Sequence, residues 1–193
     1  MFFLISTQIF AQDKKWSIEA NYPLQAGNDI ISEKSNGLID FGLKYRFADL
    51  GLVKLGAGFN AGLFTESDNS IVTLDNMTNV NSNYDSKNYI LQPKVFAEFH
   101  IPAVERLKPF VGLGYSVVVF DVFFDDGVRG TVIDDTSTNG GINLNAGLSF
   151  DITKRLFIQG QYDYINLRVK NASTGQKGTI DSGFLKFGLG FRF

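Results

Sequence analysis

One histidine and no cysteine stand among the 193 residues, which removes most reaction chemistry at the outset. Without cysteine there are no disulfides, no thiolate metal sites, no cysteine nucleophile and no lipoprotein anchor. A serine nucleophile would need a base beside it and a carboxylate orienting that base. His100 is the sole imidazole, with Ser116 and Ser149 as inward-facing serines. A lone histidine in such a place is more often a hydrogen-bonded packing residue, and no enzyme activity is expected. The GAG and GLG triplets at Gly56 to Gly58 and Gly112 to Gly114 fall mid-strand and lack the helix that a phosphate-cradling loop requires. They read instead as inward positions leaving room for long lysine and arginine side chains. Carboxylates cluster at Asp121, Asp125, Asp126, Asp134 and Asp135, and at Glu66, Asp68, Asp75 and Asp85. Oxygen-rich groups suit calcium or magnesium, but the spacing does not match a calcium-binding helix-loop-helix, and solvated acidic loops are the simpler reading. No cofactor or metal is expected.

What remains is a set of charges of both signs at alternating positions: Glu19, Asp40, Lys44, Arg46, Lys54, Lys94, Glu98, His100, Asp151, Asp163, Lys186 and Arg192, with Gln159 and Gln161 among them. Their chemistry is pairing. Enclosed together away from water, they must neutralise one another, because an uncompensated buried charge costs several kcal/mol.

The elements that would enclose them are β-strands. The closing segment GFLKFGLGFRF puts Leu185, Phe187, Leu189, Phe191 and Phe193 on one face, and Lys186, Gly188, Gly190 and Arg192 on the other. A strand greasy on one side and glycine or charge on the other suits a membrane barrel with a polar interior. Eight such segments follow one another: Trp16 to Ala26, Leu38 to Phe47, Leu52 to Phe64, Tyr89 to Ile101, Lys108 to Phe120, Gly141 to Ile152, Leu156 to Val169 and Ser182 to Phe193. Each is long enough for the roughly 9 to 11 residues of a tilted spanning strand. Their apolar faces, such as Phe41, Leu43, Tyr45 or Leu113, Tyr115, Val117, carry no charge. Connections alternate between short (Ala48 to Gly51, Pro102 to Leu107, Thr153 to Arg155) and long and polar (Gly27 to Gly37, Thr65 to Asn88, Asp121 to Gly140, Lys170 to Asp181). This predicts an all-β, eight-stranded antiparallel up-and-down transmembrane β-barrel with short periplasmic turns and long extracellular loops. Trp16, Phe47, Phe99, Phe150 and Phe193 would form the inner aromatic girdle, and Tyr22, Tyr162 and Tyr164 the outer one. Pro23 and Pro93 each predict a bulge or an interrupted hydrogen bond.

Residues 1–12 read as the end of an export signal, with an apolar run from Phe2 to Phe10 before Ala11-Gln12, and 13–193 as the barrel domain. A net charge of −2 gives no broad basic surface for nucleic acid. A soluble eight-stranded carrier would have to crowd the large apolar residues into an interior too small for them. Eight strands leave a lumen that side chains just fill, so a salt-bridged plug is expected, with a narrow conducting path as the alternative. Inward apolar residues gather towards the long-loop end, namely Leu38, Phe64, Val118, Phe120, Ile165 and Phe184. They form either a greasy vestibule or a packing layer under the loops.

The chain resembles the small eight-stranded outer-membrane barrels, the group of the OmpA transmembrane domain, OmpX and OmpW, and especially the porin-like barrels of Bacteroidetes. The resemblance runs over Trp16 to Phe193, and its most specific part is the closing strand ending on Phe193. It implies a monomeric barrel in the bacterial outer membrane and a terminal aromatic read as an assembly signal by the outer-membrane machinery. Lipid and lipopolysaccharide would surround it, and an envelope protein would be a partner for its loops. Members share architecture and differ in activity. The expected role is structural or surface interaction through acidic loops, with a small channel or apolar-solute port as the alternative.

Overall fold

The computed structural model describes residues 14–26, 36–74, 78–125, 132–170 and 177–193. Residues 1–12, read above as the end of an export signal, lie outside them. Eight strands run β1 (Trp16–Gln25), β2 (Asn36–Asp49), β3 (Val53–Leu74), β4 (Thr78–Phe99), β5 (Leu107–Asp125), β6 (Val132–Asp151), β7 (Leu156–Lys170) and β8 (Lys177–Arg192). Every strand pairs antiparallel with its neighbours in chain order, and β1 pairs with β8, so the sheet closes into a barrel. Closure leaves no free edge around the ring, the condition for a sheet to stand in lipid, where unpaired backbone groups have no water to bond. A single 3₁₀ turn, Pro102–Val104, lies between β4 and β5, and no described helix is long and apolar enough to cross a membrane.

Side-chain alternation is inverted relative to a soluble barrel. Along β1 every second residue is exposed and the others are buried, with Ile18 and Tyr22 outside and Ser17, Glu19 and Asn21 inside. The outer surface carries Phe41, Leu43, Phe59, Val95, Leu113, Ile142, Phe187 and Leu189, all substantially exposed. The interior holds most of the buried charged and amide side chains. Trp16, Phe47, Phe99, Phe150 and Phe193 are all exposed near the short-turn rim, where amphipathic or aromatic rings suit the membrane boundary.

Two features depart from the expected strands. Much of what reads as loop is paired: β3 and β4 are 22 residues each and stay in register from Val53↔Phe99 to Leu74↔Thr78. Similarly, β5 and β6 remain paired out to Asp125↔Val132. Asn, Asp, Ser and Thr carry no apolar alternation once a strand leaves the bilayer, yet backbone pairing continues without it. The second departure is a pair of irregularities in β2. Between Gly37 and Ile39 the register with β3 shifts by one residue, as it does between Arg46 and Ala48. Leu38 is the extra residue of the first bulge and turns outward, 51% exposed, so it does not join the inward apolar group. The prolines behave as expected, interrupting pairing, and do so without a bulge. The β4–β5 ladder runs from Leu91↔Val117 to Lys94↔Gly114 without Gln92 and Pro93, and the β1–β2 ladder ends at Asn21↔Asp40, short of Pro23. A residue lacking N–H cannot donate to the ladder.

Candidate functional site

The lumen stacks into layers. At the short-turn end Arg46 (β2) grips Glu98 (β4) with two bonds, Nε to Oε1 at 3.1 Å and Nη2 to Oε2 at 2.7 Å, and donates through Nη1 to Ser17 Oγ at 3.2 Å. Arg192 (β8) lies 3.7 Å from the same carboxylate, pairs with Asp151 (β6), and donates to Ser149 Oγ at 3.1 Å. Lys108 (β5) also pairs with Asp151. The Arg192 guanidinium stacks on Phe157, 4.0 Å from the ring centroid, a planar contact that lysine could not reproduce.

One layer further in, Lys44 Nζ meets Glu19 Oε1 at 2.7 Å and sits 4.2 Å from the Phe110 ring centroid. Gln159 Nε2 donates to Glu19 Oε2 at 2.8 Å and to Asn21 Oδ1 at 2.7 Å.

The central layer is organised by Lys186 (β8). Its ammonium reaches Asp40 (β2), Asp163 (β7) and Gln92 Oε1 (β4), each at 2.8 Å. Strand β4 stands diametrically across the ring from β8, so this one group spans the barrel. Asp40 Oδ1 accepts from Asn21 (2.9 Å) and Asn60 (2.6 Å), and Asp163 Oδ1 from Gln161 (3.0 Å). Ser116 Oγ accepts from Gln92 and Asn143. Lys94 is buried in the same region, 5% exposed, and its Nζ has no hydrogen-bond partner. Its stem passes Gly58 and Gly114, where a side chain would touch it. Glycine plays the same part beneath rings: a Cβ on Gly56 would strike Phe96, and one on Gly190 would strike Phe157.

Above the charges, Phe64, Ile90, Val118, Ile165, Leu167 and Phe184 pack into one apolar cluster, each at most 3% exposed, with Phe120 partly buried against it. Phe64 and Phe184 meet with their rings tilted at 52° and centroids 5.1 Å apart. These side chains pack against one another beneath the long loops.

The structure therefore brings together Glu19, Asp40, Lys44, Arg46, Glu98, Asp151, Asp163, Lys186 and Arg192 in contact, and places Lys94 among them unpartnered. Two expected members lie elsewhere. Beyond the Phe47 bulge, Asp49 faces Lys54, and the two pair at 2.9 Å in solvent at the rim. His100 follows the end of β4 and lines the mouth. Both hydroxyls weighed as nucleophiles are engaged elsewhere, Ser116 as above and Ser149 with Arg192 and the Lys108 carbonyl. Among the described residues no three metal-ligating side chains converge. Of the acidic groups, the Asp121, Asp135 and Asp85 side chains are described at the surface. Asp75 and Asp126, and the side chains of Glu66, Asp68, Asp125 and Asp134, lie outside the described residues.

Lys108, Asn21, Asn60, Gln92, Ser116, Asn143 and the inward rings Phe96, Phe110 and Phe157 are also parts of this interior. Strand parity aims them inward; Ser116 is already among the inward serines, Lys108 stands at the very start of its strand, and the neutral amides and aromatics carry no charge to single them out.

A closed eight-stranded ring, polar within and apolar without, is an outer-membrane β-barrel, and the outer membrane is where it resides. The chain belongs to the outer membrane protein beta-barrel domain family, whose model matches residues 1–193. Among solved structures it is similar to a major outer membrane protein from Thermus thermophilus, with 14% identity, a TM-score of 0.60, and 92% of this chain and 98% of that one covered. OprG from Pseudomonas aeruginosa shares 13% identity at a TM-score of 0.55, covering 93% and 96%. Ail, the attachment invasion locus protein of Yersinia pestis, solved with the heparin analogue sucrose octasulfate, shares 18% at 0.54, covering 92% and 96%. No curated protein matches the chain.

Proposed function

We propose that this protein is a barrel with a plugged lumen that acts at its outer surface, as a rigid stem presenting acidic arms to envelope or surface molecules. The observation that carries this reading is the cross-brace of Lys186, which holds Asp40 and Asp163 and reaches Gln92 on the wall opposite its own. A pathway through the barrel would have to part that brace and then the apolar cluster above it, where a dry constriction opposes ions on its own.

The arms support the second half. A spanning strand needs roughly 9 to 11 residues, and β3 and β4 have 22 each. About half of that hairpin therefore stands clear of the hydrocarbon, about 36 Å along the ladder at about 3.3 Å per residue. Lipopolysaccharide would surround its base. Its partner would be a protein or glycan of the envelope, and the barrel would act without catalysis, as a monomer or as a subunit of a larger assembly. Delivery would depend on the outer-membrane assembly machinery reading the closing strand and Phe193.

Planar-bilayer recording of the refolded protein tests the plug. Silence from a protein that shifts on gels between unheated and boiled samples is the expected result. Discrete current steps altered by Lys94→Ala or Glu98→Ala would replace this reading with the channel.

A further inference from the structure

We propose that the periplasmic mouth of the barrel is a binding site for a phosphate-bearing anion. The short-turn end opens into a concave cavity of about 650 Å³. Its floor is built rather than incidental. Arg46 and Arg192 are 6% and 4% exposed and held by Glu98 and Asp151, with Lys108 added on Asp151. Three cations there meet two carboxylates, so the floor is itself positive.

The rim extends the imbalance. Lys14 and Lys15 precede β1, Lys154 sits in the β6–β7 turn, and Lys54 comes from β3, against the carboxylates of Asp49 and Glu105. Seven cationic side chains thus face four carboxylates around one cavity, with His100 beside them as a further donor. The Lys14 ammonium donates to the Lys154 carbonyl, which draws both lysines to the same side of the opening. Among the described residues none of Lys14, Lys15 and Lys154 forms an ion pair. Burial, followed by the neighbouring Lys108, Lys154 and Arg155 charges, holds Lys14 below the ordinary lysine range despite Asp151. The lining is therefore net cationic, with seven cations against four carboxylates.

A phosphoryl group answers this geometry. It brings up to two negative charges and acceptor oxygens on every side, which suits several lysine point charges better than the single plane of a carboxylate. The mouth is ringed by Trp16, Phe47, Phe99, Phe150 and Phe193 at the level of the periplasmic leaflet. The phosphoryl group thus has two sources, a soluble phosphate ester or the headgroup of an anionic phospholipid.

Calorimetric titration of the full refolded chain in zwitterionic micelles separates them. Inorganic pyrophosphate is one probe, and dihexanoyl phosphatidylglycerol against dihexanoyl phosphatidylcholine the other. Binding of pyrophosphate assigns the site to a soluble ester. Binding of the phosphatidylglycerol alone, with no response to phosphatidylcholine or pyrophosphate, assigns it to the headgroup. In either case Lys15→Gln combined with Lys154→Gln, both at exposed positions outside the lumen, is expected to weaken binding at least tenfold while the heat-dependent gel shift persists. Affinity in the unmodified barrel should fall as sodium chloride is added. The proposal is overturned if neither probe binds, if the double variant binds as well as the parent, or if salt has no effect.

Discussion

Lys186 and Lys94 make a controlled pair at the level of single side chains, because both are buried ammoniums and only one has partners. Replacing Lys186 with methionine leaves Asp40 and Asp163 enclosed without their counter-charge, and breaking a buried pair from one side costs about 3–5 kcal/mol. Lys94→Met removes a desolvated cation that donates no hydrogen bond, so its urea-refolding midpoint should equal or exceed that of the parent. Equal losses from both variants would show that Lys94 is as firmly paired as Lys186. The two are indistinguishable in the sequence. Each sits inward at its strand's parity with apolar residues on either side, and only the identity of the facing strands, Gly58 and Gly114 for Lys94 and Gln161 for Lys186, separates them.

Strands carry the next set of consequences. Gly190 pairs with Phe157, whose ring lies over it and supports Arg192. Gly190→Val should therefore displace the ring and cost about 1–3 kcal/mol, the range for overpacking, read from the same refolding curves. At the β2–β3 turn, the Lys54 ammonium and the Gly51 amide hold the Asp49 carboxyl below the ordinary carboxylate range. A depressed carboxylate stabilises above its unfolded value and loses that effect as pH falls through its folded one. The protection factor of the Gly51 amide, its exchange measured against the intrinsic rate at the same pH, should thus fall as the solution is acidified, and Asp49→Asn should leave it low and unchanged over that interval. Gly51, at φ 81°, adopts a left-handed conformation that favours glycine at this turn. Strand existence, order and facing were legible because the bilayer enforces a period of two on every segment it touches. The bulges at Leu38 and Phe47 were not, since an extra residue is defined only by the partner strand. The outer ladders escaped for a different reason: water on both faces removes the alternation that marks a strand.

For the whole molecule, unheated and boiled samples should migrate differently on gels, as expected of a folded ring that resists detergent. Phe193→Ala should leave refolding of the purified chain in detergent nearly unchanged while slowing its insertion in cells, measured as the heat-shifted fraction recovered from membranes. Equal recovery would remove Phe193 from any recognition role. The seam between β1 and β8 has a consequence in time. Seven of the eight ladders join strands consecutive in the chain, whereas Ser17 pairs with Arg192 and the Trp16 backbone exchanges two bonds with Phe193. Hairpins can zip locally and early, but this last joint waits for the first and last strands of the barrel and closes the whole span between Ser17 and Arg192 at once. A nascent barrel is therefore an open sheet with two sticky borders until its final strand is delivered, and the pairing of that strand with β1 is the step that ends the exposure.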